Sequence, residues 1–225
     1  MTAADLIEAT TADLSKLDMA SNLPLQKHKL KRSWTYWYLN DNRMVKWEDR
    51  LKKINTFTSV EDFWALYNNI KLPSQLNNTC DYNVFKEGIE PMWEVPQNAN
   101  GGRWLINIEK SRAGDVMDII WLEILIAMIG EQFGDDQDLI CGLVANIRAK
   151  GSKISVWTSD HNNDEGNMRI GRIIRAKLLS APVPDKVKQP IFDVLRYEDH
   201  NSTQTKTGSS VKPKLTLNAV EEARQ

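Results

Sequence analysis

Bulky apolar side chains recur two residues apart along much of the chain, and that spacing commits it to β-sheet. Ser33–Leu39 sets Trp34, Tyr36 and Tyr38 on one face and Trp37 and Leu39 on the other. Trp104, Ile106 and Ile108 alternate within Arg103–Glu109, as do Leu139, Cys141, Leu143, Ala145 and Ile147 in a later run. Successive strand side chains point to opposite faces, so a period of two marks a half-buried strand. Further strands are predicted from Trp47 to near Phe57, over Lys153–Thr158 and over Ile191–Tyr197, with Pro and Gly between them. Three stretches carry a helical period instead. The first opens at Thr58 as N-cap, with Glu61 completing a capping box. The second runs from near Asp115 to about Phe133. The third covers Glu165–Leu179, with Ile170, Ile173, Ile174 and Leu178 as its apolar stripe and Arg169, Arg172 and Arg175 on a solvated face. The fold class is α+β, a curved antiparallel sheet with helices packed on one side.

Composition narrows the function. The net charge is −1, whereas proteins that wrap long nucleic acids are usually basic. A small site meeting a few phosphates remains compatible. Eight tryptophans are many for 225 residues; some belong to the core, and stacking on a flat ligand is a natural use for the rest. No apolar run is long enough to span a membrane, and the N-terminus lacks a secretory signal. Cys80 and Cys141 are too few for a zinc cluster and read as free thiols. His28, His161 and His200 lie far apart in predicted loops or tails. With no Gly-rich phosphate loop, GxSxG or HExxH motif, the chain is not expected to be an enzyme. Residues 1–27 read as a flexible tail and 28–217 as the single domain, with 218–225 a fraying end.

Two groups of residues invite a functional reading. Lys153 and Trp157 share one strand face, opposite Ile154 and Val156, and Asn146 and Arg148 share a face opposite Ile147. Such a face is either solvated sheet surface or an anion site with an aromatic wall. Trp93 lies in a Gly- and Pro-bearing loop beside Glu94, and Trp47 follows the polar stretch 40–46. Each is either folded onto the core or set against a planar ligand. The helices carry a surplus. Phe63, Leu66, Tyr67 and Ile70 suffice for a core stripe, leaving Val60 and Trp64. Trp121, Leu122, Leu125, Ile126 and Ile129 widen the apolar face of the second helix. A wide face means deeper burial or a patch for a partner helix.

Six segments together resemble the eukaryotic translation initiation factor 4E family. They are His28–Trp34, Val60–Tyr67, Asp81-Tyr82, Gly88-Ile-Glu-Pro-Met-Trp-Glu94, Gly101-Gly-Arg-Trp-Leu105 and Arg148–Lys153. The resemblance runs from about His28 to Lys212 and takes in all eight tryptophans. It implies a cupped antiparallel sheet of about eight strands with three helices on its convex face. It implies that the protein binds the 7-methylguanosine cap of mRNA and recruits the 4G scaffold subunit. The alternatives are a cap-binding repressor adaptor, or an isoform that also accepts trimethylguanosine caps. A general single-strand RNA module is disfavoured by the charge balance.

The resemblance also assigns roles. Trp47 and Trp93 sandwich the cationic base, Glu94 pairs with its edge, and Trp157 contacts the methyl group. Arg103, Arg148 and Lys153 hold the triphosphate with Asn146, and Lys206 approaches from the C-terminal loop. His28, Val60, Trp64, Leu122, Glu123 and Ile126 receive a helical peptide of the 4G scaffold or of 4E-binding repressors. Ser209, in Thr205–Ser210, is the implied phosphorylation site. No cofactor and no metal are implied, and the protein is expected to be a monomer. Its expected place is the cytoplasm, with the nucleus and mRNA granules as alternatives. Lys29 departs from the proline common in the family, and 179–191 reads as an insertion.

Overall fold

The computed structural model describes residues 26–42, 44–204 and 211–220. Eight strands form one sheet: β1 (Lys29–Leu39), β2 (Leu51–Ser59), β3 (Asp81–Lys86), β4 (Gly102–Ile108), β5 (Ile140–Asn146), β6 (Ser152–Thr158), β7 (Val194–Asp199) and β8 (Leu215–Asn218). Their order is β2-β1-β3-β5-β6-β4-β7-β8 and every neighbouring pair is antiparallel. Helices α1 (Trp47–Arg50), α3 (Pro96–Ala99) and α6 (His200–Gln204) are short. Helices α2 (Val60–Tyr67), α4 (Ala113–Ile129) and α5 (Asp164–Leu179) are the substantial ones.

The period-two pattern decides which face the three long helices cover. Trp34, Tyr36, Tyr82, Val84, Trp104, Ile106, Leu143, Ile154 and Val156 share a core with Phe63 and Tyr67 of α2, Ile120 and Ile124 of α4, and Ile170 and Ile174 of α5. The intervening strand residues face the other way. A smaller apolar cluster there joins Phe85, Val144 and Trp157, with Ile89 and Trp93 against it. It also takes in Cys141, which does not share the face of Leu143 as its spacing predicts, because the register shifts between Ile140 and Gly142. Helix α5 approaches the sheet through Gly171, where an added Cβ would lie 2.3 Å from the Trp104 ring.

Several expectations need correction. Strand β2 continues through Ser59, which pairs with Lys29, and the Val60 N–H donates to the His28 carbonyl at 2.9 Å. The N-cap is therefore Ser59, not Thr58, and its hydroxyl accepts from the Asp62 N–H at 3.1 Å. Glu61, freed from a capping box, accepts from the His28 backbone N–H at 2.9 Å. Strand β7 starts later than expected and β8 extends to Asn218, followed by the buried Ala219, so packing continues past residue 217. Trp121, Leu125 and Ile129 belong to the core and are not surplus, because α4 also packs against α5 and the turn at Pro73–Gln75. Arg169 and Arg175 are not merely solvated. Arg169 makes two 2.8 Å bonds to the buried Asp136, and Arg175 donates to the carbonyls of Asn218 and Ala219. The two cysteines are free and buried.

Candidate functional site

The sheet face opposite the three long helices holds a cavity of about 340 Å³ lined by residues of five strands and two loops. Strand alternation aims Asp81 and Asn83 from β3, Val144 and Asn146 from β5, Lys153 and Trp157 from β6, and Arg103 from β4 into the same space. Arg148, just past β5, adds a second guanidinium, while Pro91 and Trp93 come from the loop after β3.

That loop is fixed locally. Gly88 turns the chain at φ +85°, a conformation that suits glycine. Beyond it the fully buried Asn98 donates its amide to the carbonyls of Glu90 at 3.0 Å and Met92 at 2.7 Å. The half-buried Trp93 then stands perpendicular to Trp157, with ring centroids 5.7 Å apart. Phe85 backs Trp157 at 5.5 Å. An apolar wall of this kind lowers the local dielectric and strengthens the charges beside it.

Three cations share the cavity, and carboxylates hold both arginines. Arg148 reaches Asp81 in a two-pronged pair at 2.5 and 3.2 Å. Arg103 meets Glu198 at 3.1 Å and lies 5.4 Å from the Trp93 ring centroid. Lys153, on the exposed end of β6, completes the set.

The sequence-predicted residues therefore divide. The structure brings Trp93, Trp157, Arg103, Asn146, Arg148 and Lys153 together around one cavity. Glu94 is exposed and does not line it. Trp47 opens α1, not the strand expected there, and its side chain lies outside the described part. Lys206 and Ser209 lie outside the described residues. On the helical side, Val60 is 39% and Trp64 37% exposed, while Leu122, Glu123 and Ile126 are half-buried and His28 is exposed. Among the described residues, no cluster of His, Cys, Asp and Glu could hold a metal ion, and no helix is long and apolar enough to cross a membrane.

Sequence reasoning missed the roles of four residues of this region, Asp81, Asn83, Glu198 and His200. Strand β3 alternates Asp81 and Asn83 with Tyr82 and Val84, the signal that found the other strands. Glu198 had no signal, since only cross-strand register sets it opposite Arg103. His200 was assigned to a remote tail. It is instead fully buried, with its ring centroid 4.4 Å from that of Trp157 and 5.3 Å from that of Trp93.

Burial, together with the Arg103 charge, lowers the His200 pKa to about 3. Asp199 opposes the shift and His161 adds to it. Below about pH 6.5 the unfolded chain accepts a proton that the folded ring refuses. Stability should thus fall with pH from about 6.5 toward 3, by up to about 1.4 kcal/mol per pH unit. In His200→Leu, the drop in urea midpoint between pH 7 and pH 5 should shrink. An equal drop in both proteins would show that the ring is not its source.

The chain matches the family description "Eukaryotic initiation factor 4E" over residues 29–214. It is 60% identical to the eukaryotic translation initiation factor 4E-1 of Caenorhabditis elegans over 192 residues, covering 85% of this chain and 90% of that protein. Its fold is similar to the crystal structure of Ascaris suum initiation factor 4E-3 with an m2,2,7G cap. There the TM-score is 0.75 and the identity 46%, over 85% of this chain and 99% of the other. The complex of C. elegans initiation factor 4E-3 with the 4E-binding protein Mextli and a cap analog aligns with a TM-score of 0.73 and 43% identity, over 85% and 100% of the two chains.

Proposed function

The chain belongs to the eukaryotic initiation factor 4E family, and on that footing we propose that it holds the 7-methylguanosine cap of mRNA against the sheet face opposite its three long helices and recruits the 4G scaffold through the helical side. One observation carries the reading. Two tryptophans at right angles share a single cavity with two arginines and a lysine. A cationic, planar base with a short phosphate chain needs such a pairing: aromatic faces for the base and point charges for the phosphates. The relatives solved with a cap or a cap analog support it.

In this reading Trp93 forms one wall of the base slot and Trp47 the other, with Trp157 against the methyl group. Glu94 accepts from the N1–H and 2-amino groups while its charge balances the base. Its exposure then follows from the need to meet a base edge outside the cavity. Arg103, Arg148 and Lys153 take the triphosphate with Asn146, and Lys206 joins them. His28, Val60, Trp64, Leu122, Glu123 and Ile126 receive a helical segment of the 4G scaffold or of 4E-binding proteins. Ser209 is the proposed phosphate acceptor. The protein acts by binding and not by catalysis, as a monomer, and its work on mRNA assigns it to the cytoplasm.

The test is a titration of the wild type and Glu94→Gln with 7-methyl-GTP and GTP. The variant keeps an acceptor but adds an NH₂ group and removes the charge. Both affinity and preference for the methylated nucleotide should fall. An unchanged methylated-to-unmethylated ratio would refute the role given to Glu94. A wild type that binds neither nucleotide would refute the function. A parallel titration with an m2,2,7G analogue decides whether trimethylated caps are also ligands, as in the Ascaris protein.

A second reading, a repressor-type adaptor, is favoured by one observation. A family relative is bound by Mextli, a 4E-binding protein. Co-purification of a 4G scaffold with the chain supports the initiator, and recovery of only a 4E-binding repressor supports the adaptor.

A further inference from the structure

Arg103 sits in the middle of a row that crosses three strands. Its register partner on β6 is Trp157 and its register partner on β7 is Glu198. The Arg103 and Glu198 side chains are only 13% and 10% exposed, so the pair is shielded from bulk water. Burying a carboxylate is expensive unless a cation and hydrogen bonds compensate it, and Arg103 supplies both. The guanidinium is thereby held between the Glu198 carboxylate and the face of Trp93. Glu198 does not line the cavity, whereas Arg103 does, so the carboxylate lies beside the cation, on the neighbouring strand and outside the cavity.

This arrangement changes the charge that a ligand meets. Arg103, Arg148 and Lys153 would present three positive charges. Glu198 and Asp81 set two negative charges against the arginines, leaving +1 for the five groups (3 − 2). Asp81 faces the cavity itself, so it can be displaced from Arg148 by an incoming anion. Glu198 has no such freedom, because it is nearly buried and fixed by strand register.

We propose that Glu198 is a specificity-determining positioning residue, a built-in counter-ion that orients Arg103 and weakens the dependence of binding on phosphate number. Resting on the cap reading above, this makes the base the main source of affinity and each added phosphate a smaller one. The ligand class it favours is a methylated guanine nucleotide recognised through its base, even with a short phosphate chain.

The experiment compares wild type, Glu198→Gln and Glu198→Asp by fluorescence titration with 7-methyl-GMP, 7-methyl-GDP and 7-methyl-GTP over a salt series. Glutamine retains an acceptor for the Arg103 Nη2, removes the charge and adds an NH₂ group in place of one oxygen. The ratio of 7-methyl-GTP to 7-methyl-GMP affinity should rise roughly five- to twentyfold in Glu198→Gln. The log–log salt slope for 7-methyl-GTP should steepen by about 0.7, the value for one further neutralised phosphate. Glu198→Asp keeps the charge, so its ratio and slope should stay at the wild-type values. An unchanged ratio and slope in Glu198→Gln, or an equal loss for all three nucleotides, would overturn the proposal while leaving cap binding intact. If Glu198→Gln fails to fold, the wild-type salt slope for 7-methyl-GTP decides: about −1.4, for two effective cations, supports the counter-ion, and about −2.1 or steeper, for three, overturns it. A wild type that binds none of the three overturns the cap reading itself.

Discussion

Trp93→Ala is expected to abolish retention of the protein on 7-methyl-GTP resin while its far-UV spectrum stays unchanged. The ring stands in a loop against Trp157 and His200, and it packs on a satellite cluster separate from the main core. Its loss should therefore spare the fold. At the site, the truncation removes one stacking face, which is worth about 1–3 kcal/mol per base. It also admits water beside a cation, which weakens a cation–π contact that reaches about 2 kcal/mol when desolvated. Together these terms correspond to a loss of at least about a hundredfold in affinity. Trp47→Ala should behave alike, as the opposite wall of the proposed slot. Wild-type retention of either variant, with elution only by free cap nucleotide, would remove that tryptophan from the site.

Trp64→Ala should instead eliminate binding of a helical peptide from the 4G scaffold and leave 7-methyl-GTP affinity within about twofold. Trp64 lies on α2, which packs on the sheet face opposite the cavity, and so it cannot touch a nucleotide there. Its ring leans on Phe63 at 4.9 Å and Tyr67 at 5.8 Å, which hold it in place yet leave it 37% exposed. A rigid aromatic beside the exposed Val60 loses little entropy on binding, and truncating such anchors often costs at least about 2 kcal/mol. Calorimetry with the peptide, and fluorescence with the nucleotide, separate the two sites. Loss of nucleotide binding ahead of peptide binding would mean that Trp64 supports the core.

The same two faces explain where reading the sequence succeeded. Residues two apart on a strand must share a face whatever the rest of the chain does, so Lys153 and Trp157 are found together as the alternation requires. The split between the apolar core face and the mixed face of β4, β5 and β6 follows from the same rule. Where tertiary contacts intervene, local patterns lose their authority. Thr58 is as good an N-cap as Ser59 by residue type. Pairing of β2 with the start of β1 carries the strand one residue further and passes the cap to Ser59. Trp121 and Leu122 are adjacent apolar residues of one helix, and only the packing of α4 against α5 and the turn at Pro73–Gln75 buries the first and leaves the second half-exposed.

The sequence by itself determined the strands that alternation marks, the fold class, and the family through motifs too specific to arise together by chance. It also supplied Asn146, Arg148, Lys153 and Trp157 of the cavity through alternation, and Trp93 through its place in the Gly88–Glu94 loop. The tertiary structure alone decided which residues from distant strands meet. Arg103 and Glu198 are 95 positions apart and pair because β4 and β7 are neighbours in register. His200 reaches Trp157 and Trp93 only because β7 delivers α6 to the edge of the same cavity. The physical reason is range. Side-chain direction is set by backbone geometry within a few residues, whereas burial, pKa and charge pairing depend on strand order and register, which no local pattern encodes.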